Sequence, residues 1–302
     1  MAKSYTKIRS TRAEKAIALA FFTPFALLFA IFTIAPVVVA LVLSTTNYSV
    51  IQPIPIFNAI DNYIYMFTQD EIFITALQNT ITFAIFLGPL GYVVSFMVAW
   101  ILNSLKGKNL FALLFYAPSI TSAIAMGVVW LYFFSPDRYG FVNNFLFDMG
   151  WISEPILWTR DPERILFITV VVSVWMGMGN GFLAFLAGFQ NLDKEIFEAG
   201  SIDGIKNKFQ ELIYILLPMM KPMLLFGAIT TIAGAFAVND IPLTLAGYPG
   251  PQNAAMTIVG YMNDYAFTRL DLGYASAVAV FLFAVTFAFG RIVMKVLGSK
   301  DE

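Results

Sequence analysis

Glu198-Ala-Gly-Ser-Ile-Asp-Gly-Ile-Lys-Asn-Lys-Phe-Gln-Glu-Leu-Ile-Tyr-Ile-Leu-Leu-Pro-Met-Met-Lys-Pro222 is the most polar, most helix-patterned segment of this chain beyond its N-terminus. It stands between apolar runs at 165–189 and 219–238. Within it Ile205, Phe209, Leu212, Ile213 and Leu216 recur at i, i+4, i+7, i+8 and i+11. Lys206, Asn207, Lys208, Gln210 and Glu211 take the opposite face, a spacing that predicts an amphipathic helix. Just upstream, Leu192, Ile196 and Ala199 predict a first short helix, with Asn191 or Asp193 as its cap. Gly200 and Gly204 flank Ser201-Ile202-Asp203 and allow a tight turn between the two helices. Such an insert is expected to lie on a lipid surface or to touch a soluble partner.

The surrounding chain decides what the insert interrupts. Of 302 residues, 59% are hydrophobic and 12% charged, about half the charge of an ordinary soluble domain. Six apolar segments, roughly 16–43, 78–102, 110–134, 165–189, 219–238 and 274–297, approach or exceed the ~20 residues a membrane helix needs. They are continuously apolar, not alternating, which favours helices over a barrel. The expected fold is an all-α polytopic membrane protein with six transmembrane helices and the insert between spans 4 and 5. With no hinge-like linker, 1–302 reads as a single domain. Pro89, Pro118 and Pro136 are expected to mark kinks or ends.

Basic residues set the orientation. Lys3, Lys7, Arg9, Arg12 and Lys15 precede the first run, which is too long for a signal-peptide core and reads as a retained span. With that end inside, cytoplasmic segments hold fourteen of the eighteen Lys and Arg residues. The exterior loops (about 44–77, 135–164 and 239–273) hold Arg138, Arg160, Arg164 and Arg269. Both termini are therefore expected in the cytoplasm, and Tyr48, Tyr63, Tyr65, Trp151 and Trp158 at the headgroup level.

Several chemistries are excluded. Cys and His are absent, so no thiolate nucleophile, His triad or His/Cys metal site can form. A net charge of −1 gives no electrostatic basis for binding nucleic acid. No phosphate loop is present, because Gly107-Lys108 is followed by Asn109 and lacks the first glycine. No catalytic, cofactor-binding or metal-ligating residue is assigned. No charge lies mid-span, with Asp240 closest at the end of the fifth run, which argues against an ion-coupled secondary carrier, the main alternative. Polar groups inside the runs include Ser119, Thr121, Ser122, Thr230 and Thr231, which suit either interhelical bonds or a carbohydrate path. Asn79, Trp175, Asn180 and Asn239 are candidate path residues on polarity or aromaticity alone. Gly177-x-x-x-Gly181 fits close helix approach.

Glu198-Ala199, Asp203-Gly204, Ile215-Leu216-Leu217-Pro218 and Pro222 together resemble the cytoplasmic motif of binding-protein-dependent ABC transporter permeases, closest to the larger permease of maltose-type carbohydrate importers. Thr244 to Pro251 and Leu272 to Ala277 are similar to that family's Gly-Gly-Pro loop and last-span entry. The likeness covers about residues 70–297, outside the N-terminal tail and first span (1–43). It implies a non-catalytic subunit of a prokaryotic cell membrane, paired with a second permease. It also implies an extracytoplasmic solute-binding protein and an ATPase dimer that carries ATP and Mg. Glu198, Ala199, Gly200, Ser201, Asp203 and Gly204 would then form the turn that couples to the ATPase. Two departures are visible: Gly200 replaces a second Ala, which should loosen the turn, and one extra residue lies between Gly204 and Ile215, which should rotate or bulge the second helix.

Overall fold

A computed structural model describes residues 12–105 and 107–297. Lys3, Lys7, Arg9, Lys106 and Lys300 of the orientation argument lie outside those residues, as do the side chains of Asn180 and Lys194. Among the described residues the regular structure is helical, apart from isolated bridges Thr46–Phe57 and Ser49–Asp271. Five helices are long and apolar enough to cross a membrane: Lys15–Leu43, Glu71–Asn103, Pro162–Gln190, Lys221–Ala246 and Leu272–Val296. In the six-span count they take positions one, two, four, five and six. Position three, called span three below, falls to a bent pair, Lys108–Ile120 and Ala123–Phe133, which passes the same test only when taken together and whose axes meet at 98°.

The prolines and their neighbours explain the irregularities. Pro89 sits inside a π turn, Phe86–Leu90, where its missing N–H is absorbed by a widened ring. Pro118 ends the first half of span three, and Thr121 and Ser122 are both extended. Proline removes one hydrogen-bond donor from the ladder. Ser119 Oγ donates to the Tyr116 carbonyl at 2.7 Å and Thr121 Oγ1 to that of Ala117 at 2.8 Å, so the helix end is satisfied where the chain turns. Pro136 lies just beyond the end of the second half-helix.

Three buried clusters hold the helices together. Phe96 and Leu102 of span two meet Phe182, Phe185 and Phe189 of span four, and the cluster continues into Leu212, Leu216 and Met220. A second joins Ile165, Ile168 and Val172 to Ile241 and Leu245 of span five. The third closes the bundle end opposite the insert, around Phe73, Tyr261, Tyr265 and Tyr274. Span one packs on span six and leaves its most apolar stretch wholly unburied.

Asp70 organises that opposite end. It is buried and caps Glu71–Ile85 by accepting from the Phe73 amide at 3.0 Å. It also accepts from the Tyr274 hydroxyl at 2.6 Å and from the Tyr261 hydroxyl, tying span two to span six. Burial, followed by the Asp70 hydrogen bond, pushes the Tyr261 hydroxyl far above its ordinary range, so it remains a donor. Gly273 donates to Tyr48 O at 2.7 Å, bringing the first long loop onto the start of span six.

The aromatics expected at headgroup level divide. Trp151 is exposed, but Tyr63 donates to Ser44 Oγ at 2.9 Å, Tyr65 stands edge-on to Tyr274, and Trp158 donates to Asn143 Oδ1 at 2.9 Å. Replacing Asp70 by Leu strands two buried tyrosine hydroxyls and should destabilise the purified protein by about 3 kcal/mol. Tyr274→Phe removes one donor and should cost about 1 kcal/mol. Thermal unfolding in detergent measures both, and a larger loss for Tyr274→Phe would contradict the hub role of Asp70.

Candidate functional site

Two features stand out along the bundle: a cavity at the bend of span three, and the insert. The bend swings Ala123–Phe133 away from its first half and onto Asp240–Ala246, where Gly127 accepts the close approach of Thr244. A cavity of about 370 Å³ remains between spans two, three, four and five, the low end of the ~300–1,000 Å³ typical of small-molecule sites. Its wall includes Ser119 and Thr121 at the bend, Gly177 and Gly181 of span four, and Thr230, Thr231 and Asn239 of span five. The polar groups scattered through the apolar runs thus converge on one space.

Span five breaks at Ala237–Asn239 and resumes as Asp240–Ala246, so the helical run passes beyond the expected end at 238. Asp240 therefore stands in the cavity wall within the fifth long helix, not at the terminus of its run. Small residues in span four allow the neighbouring helices in. The tightest approach is Gly179, where an added Cβ would lie 2.6 Å from Ser119 Cβ, while Gly181 faces Thr231 Oγ1 at 3.5 Å. The close approach expected of Gly177 and Gly181 is thus made chiefly by the glycine between them.

Of the four candidate path residues, Asn239 lines the cavity. Asn79 does not: it is buried and its amide donates to Asn253 O at 2.9 Å and Met256 O at 3.0 Å, holding the segment after span five against span two. Trp175 lies behind the wall, edge-on to Trp130 with centroids 5.4 Å apart. Asn180 is helical in backbone beside Gly179 and Gly181, with its side chain outside the described residues. Ser173, missed by the sequence reading, lines the cavity and is buried with no partner for its hydroxyl among the described residues. Asn143 was also missed. It is fully buried and donates to Ser135 O, Asp137 O and Ile156 O while accepting from Ile156 N and Trp158 Nε1, which shapes the loop after span three.

The insert begins with a helix at Lys194–Ile202, its N-cap Asp193 extended but making no side-chain cap bond. The helix ends in a Schellman turn. Ile205 N donates to Gly200 O at 3.0 Å, Gly204 N to Ser201 O at 3.4 Å, and Gly204 has φ +98°. Ser201 Oγ turns back onto Glu198 O at 2.7 Å. Glu198, Ala199, Ser201, Asp203 and Gly204 are exposed, while Gly200 is buried. The expectation that Gly200 loosens the turn is corrected here. A Cβ at Gly200 would lie 2.7 Å from Ile215 Cδ1, so its absence lets the second helix close onto the first.

The second helix starts at Lys208, with Asn207 Oδ1 accepting from Gln210 N at 2.8 Å. It then passes through a π turn at Leu212–Leu216. A π turn bonds i to i+5 and holds one residue more than an α turn. The bulge resets the buried face to Leu212, Ile215, Leu216 and Met220. Phe209 and Ile213, expected inward, are 63% and 40% exposed, because the pattern assumed an unbroken 3.6-residue period. In the first helix Ile196 and Phe197 turn inward while Ala199 does not. Ile202, at the tip, is 86% exposed.

Comparison with known proteins agrees with this geometry. The family described as "Binding-protein-dependent transport system inner membrane component" matches residues 91–300. The "Probable ABC transporter permease protein YesP" of Bacillus subtilis is 32% identical over 97% of this chain and 94% of its own length. The "Arabinooligosaccharides transport system permease protein AraP" of the same organism is 29% identical over 95% of this chain and 90% of its own. In fold, the chain is similar to one from the crystal structure of a bacterial ABC transporter involved in importing the acidic polysaccharide alginate. That match has a TM-score of 0.82 at 20% identity, covering 96% of this chain and 98% of the other.

Gly204→Ala places a Cβ in left-handed backbone and should cost about 1–2 kcal/mol. Gly200→Ala asks the flexible ends of Ile215 and Ile205 to move and should cost less. Hydrogen exchange across 194–205 should therefore accelerate in the first variant and change little in the second; the reverse order would refute the Schellman assignment.

Proposed function

The chain belongs to the family of binding-protein-dependent transport system inner membrane components, and on that premise we propose that it is one transmembrane subunit of an ATP-driven importer of a sugar or oligosaccharide. The insert faces the cytoplasm and seats in an ATPase subunit, which holds ATP and Mg. The opposite end, organised by Asp70 and the tyrosines, receives ligand from an extracytoplasmic binding protein. A second permease completes the path. Sugar as cargo is supported by AraP, whose name specifies arabino-oligosaccharides, and by the hydroxyl-lined cavity.

One observation carries the mechanism. The first insert helix is fastened on one side and open on the other. Gly200 against Ile215 joins it to the cluster that includes Phe182, Phe185 and Phe189 of span four, through Leu212, Leu216 and Met220. Its other side offers Glu198, Ser201, Ile202 and Asp203 to a partner. A short helix closed by a Schellman turn is stiff enough to be pushed as a unit. Movement of a nucleotide-driven partner would then shift the helix together with spans four and five, a rigid-body switch.

The stand-alone carrier is the competing reading, and it requires transport without nucleotide. The assembled complex of both permeases, ATPase and binding protein, in proteoliposomes, should show ligand-stimulated ATP hydrolysis and ATP-dependent uptake. Gly204→Pro and Glu198→Lys should each lower stimulated hydrolysis by about tenfold or more, a coupling loss of about 1.4 kcal/mol, while insertion in the membrane persists. Full coupled turnover in both variants, or uptake by this polypeptide alone, would sink the proposal.

A further inference from the structure

The hydrogen-bonding groups of the cavity are unequally divided between donors and acceptors. Each wall hydroxyl at the bend and on span five directs its own proton into its own helix. Ser119 donates to Tyr116 O and Thr121 to Ala117 O, at 2.7 and 2.8 Å. Thr230 donates to Phe226 O at 2.9 Å and Thr231 to Gly227 O at 2.7 Å. A hydroxyl has one proton and two lone pairs, so these four can offer a ligand only acceptors. The Asp240 carboxylate accepts as well, and it is the one acidic or basic side chain among the described wall residues. The Asn239 amide and the buried Ser173 hydroxyl, which has no partner among the described residues, are the remaining side-chain donors.

We infer that this cavity selects uncharged, hydroxyl-rich ligands and rejects anionic sugars of the same size. A neutral sugar brings several O–H donors that match the surplus of acceptors. A uronate, sulfated or phosphorylated sugar brings an acceptor-only anion. That anion would be desolvated against lone pairs and a carboxylate, with its charge uncompensated. The fold itself does not fix this preference, since the similar chain from the alginate transporter belongs to an importer of an acidic polysaccharide. The inference rests on the importer reading above and adds the charge class of its cargo.

The test uses the detergent-solubilised complex of both permeases and ATPase, without binding protein, so that only the membrane cavity can discriminate. Saturation-transfer NMR reads competing lactose and digalacturonate at neutral pH. Lactose should bind at least about tenfold tighter. Asp240→Asn substitutes an amide donor for one acceptor oxygen and should narrow that ratio roughly fivefold. Thr231→Val, which keeps shape and loses the lone pairs, should weaken lactose about fivefold. Size-exclusion profiles and ATP hydrolysis identify any variant that has failed to assemble. Equal binding of the two sugars, or a ratio unmoved by Asp240→Asn in an assembled complex, overturns the inference. Absence of lactose binding in a complex that still imports sugar with ATP overturns it too, while leaving the importer reading intact.

Discussion

Satisfying backbone carbonyls inside an apolar bundle is the constraint on which this structure turns. Breaking a helix in lipid exposes polar groups that water cannot reach, at several kcal/mol each. Where span three turns through 98°, Ser119 and Thr121 add side-chain hydrogen bonds to the Tyr116 and Ala117 carbonyls in the last turn before the break. Without the bend, Ala123–Phe133 would continue along the bundle instead of crossing onto Asp240–Ala246, and the 370 Å³ cavity would be filled by helix. The same bonds then dictate what the cavity presents, since protons spent on carbonyls are not offered to a ligand.

The insert uses a different device for the same end. Its second helix passes through a π turn at Leu212–Leu216 without loosening the packing. Leu212, Ile215 and Leu216 all remain buried. Gly200 matters because the bulged helix is drawn close: Ile215 occupies the space a side chain would have taken. The departure that was expected to loosen the turn instead leaves room for the second helix to pack.

Much of the architecture was legible in the sequence, because length and continuous apolarity report directly on burial in lipid. The five long helices, the insert helix at Lys194–Ile202 and the irregularities at Pro89 and Pro118 follow from local rules. What failed depended on register or on contacts distant along the chain. Ile213 was placed inward by a periodicity that the π turn resets. Asn79 reads as a polar group available to a ligand, yet its partners are carbonyls of Asn253 and Met256, 174 and 177 residues away along the chain, a contact no local pattern encodes. Asn143 differs in range, a buried residue of the short helix Phe141–Asp148 whose five bonds to the flanking segments form only once the chain has folded back on it. Convergence of Ser119, Thr121, Thr230 and Thr231 was half legible: the residues were visible, the bend that gathers them was not.

The cavity and the insert share the same two helices, and this makes a single motion sufficient. Span four contributes Gly177 and Gly181 to the wall and, eight residues past Gly181, buries Phe189 in the cluster that receives the insert. Span five runs from Met220 in that cluster to Thr230, Thr231 and Asn239 at the cavity. The joint between them is close, with Gly227 pressed directly against the Phe185 ring, so the two helices cannot slide independently without opening a void. Phe96 and Leu102 of span two lie in the same cluster, so the insert is joined at that end to spans two, four and five together. Span two has its own anchor at the far end, where Asp70 ties it to Tyr274 of span six. Under the proposed function, a push on the insert helix reaches the cavity through this shared cluster and the spans that leave it, while Asp70 holds span two to span six at the other end.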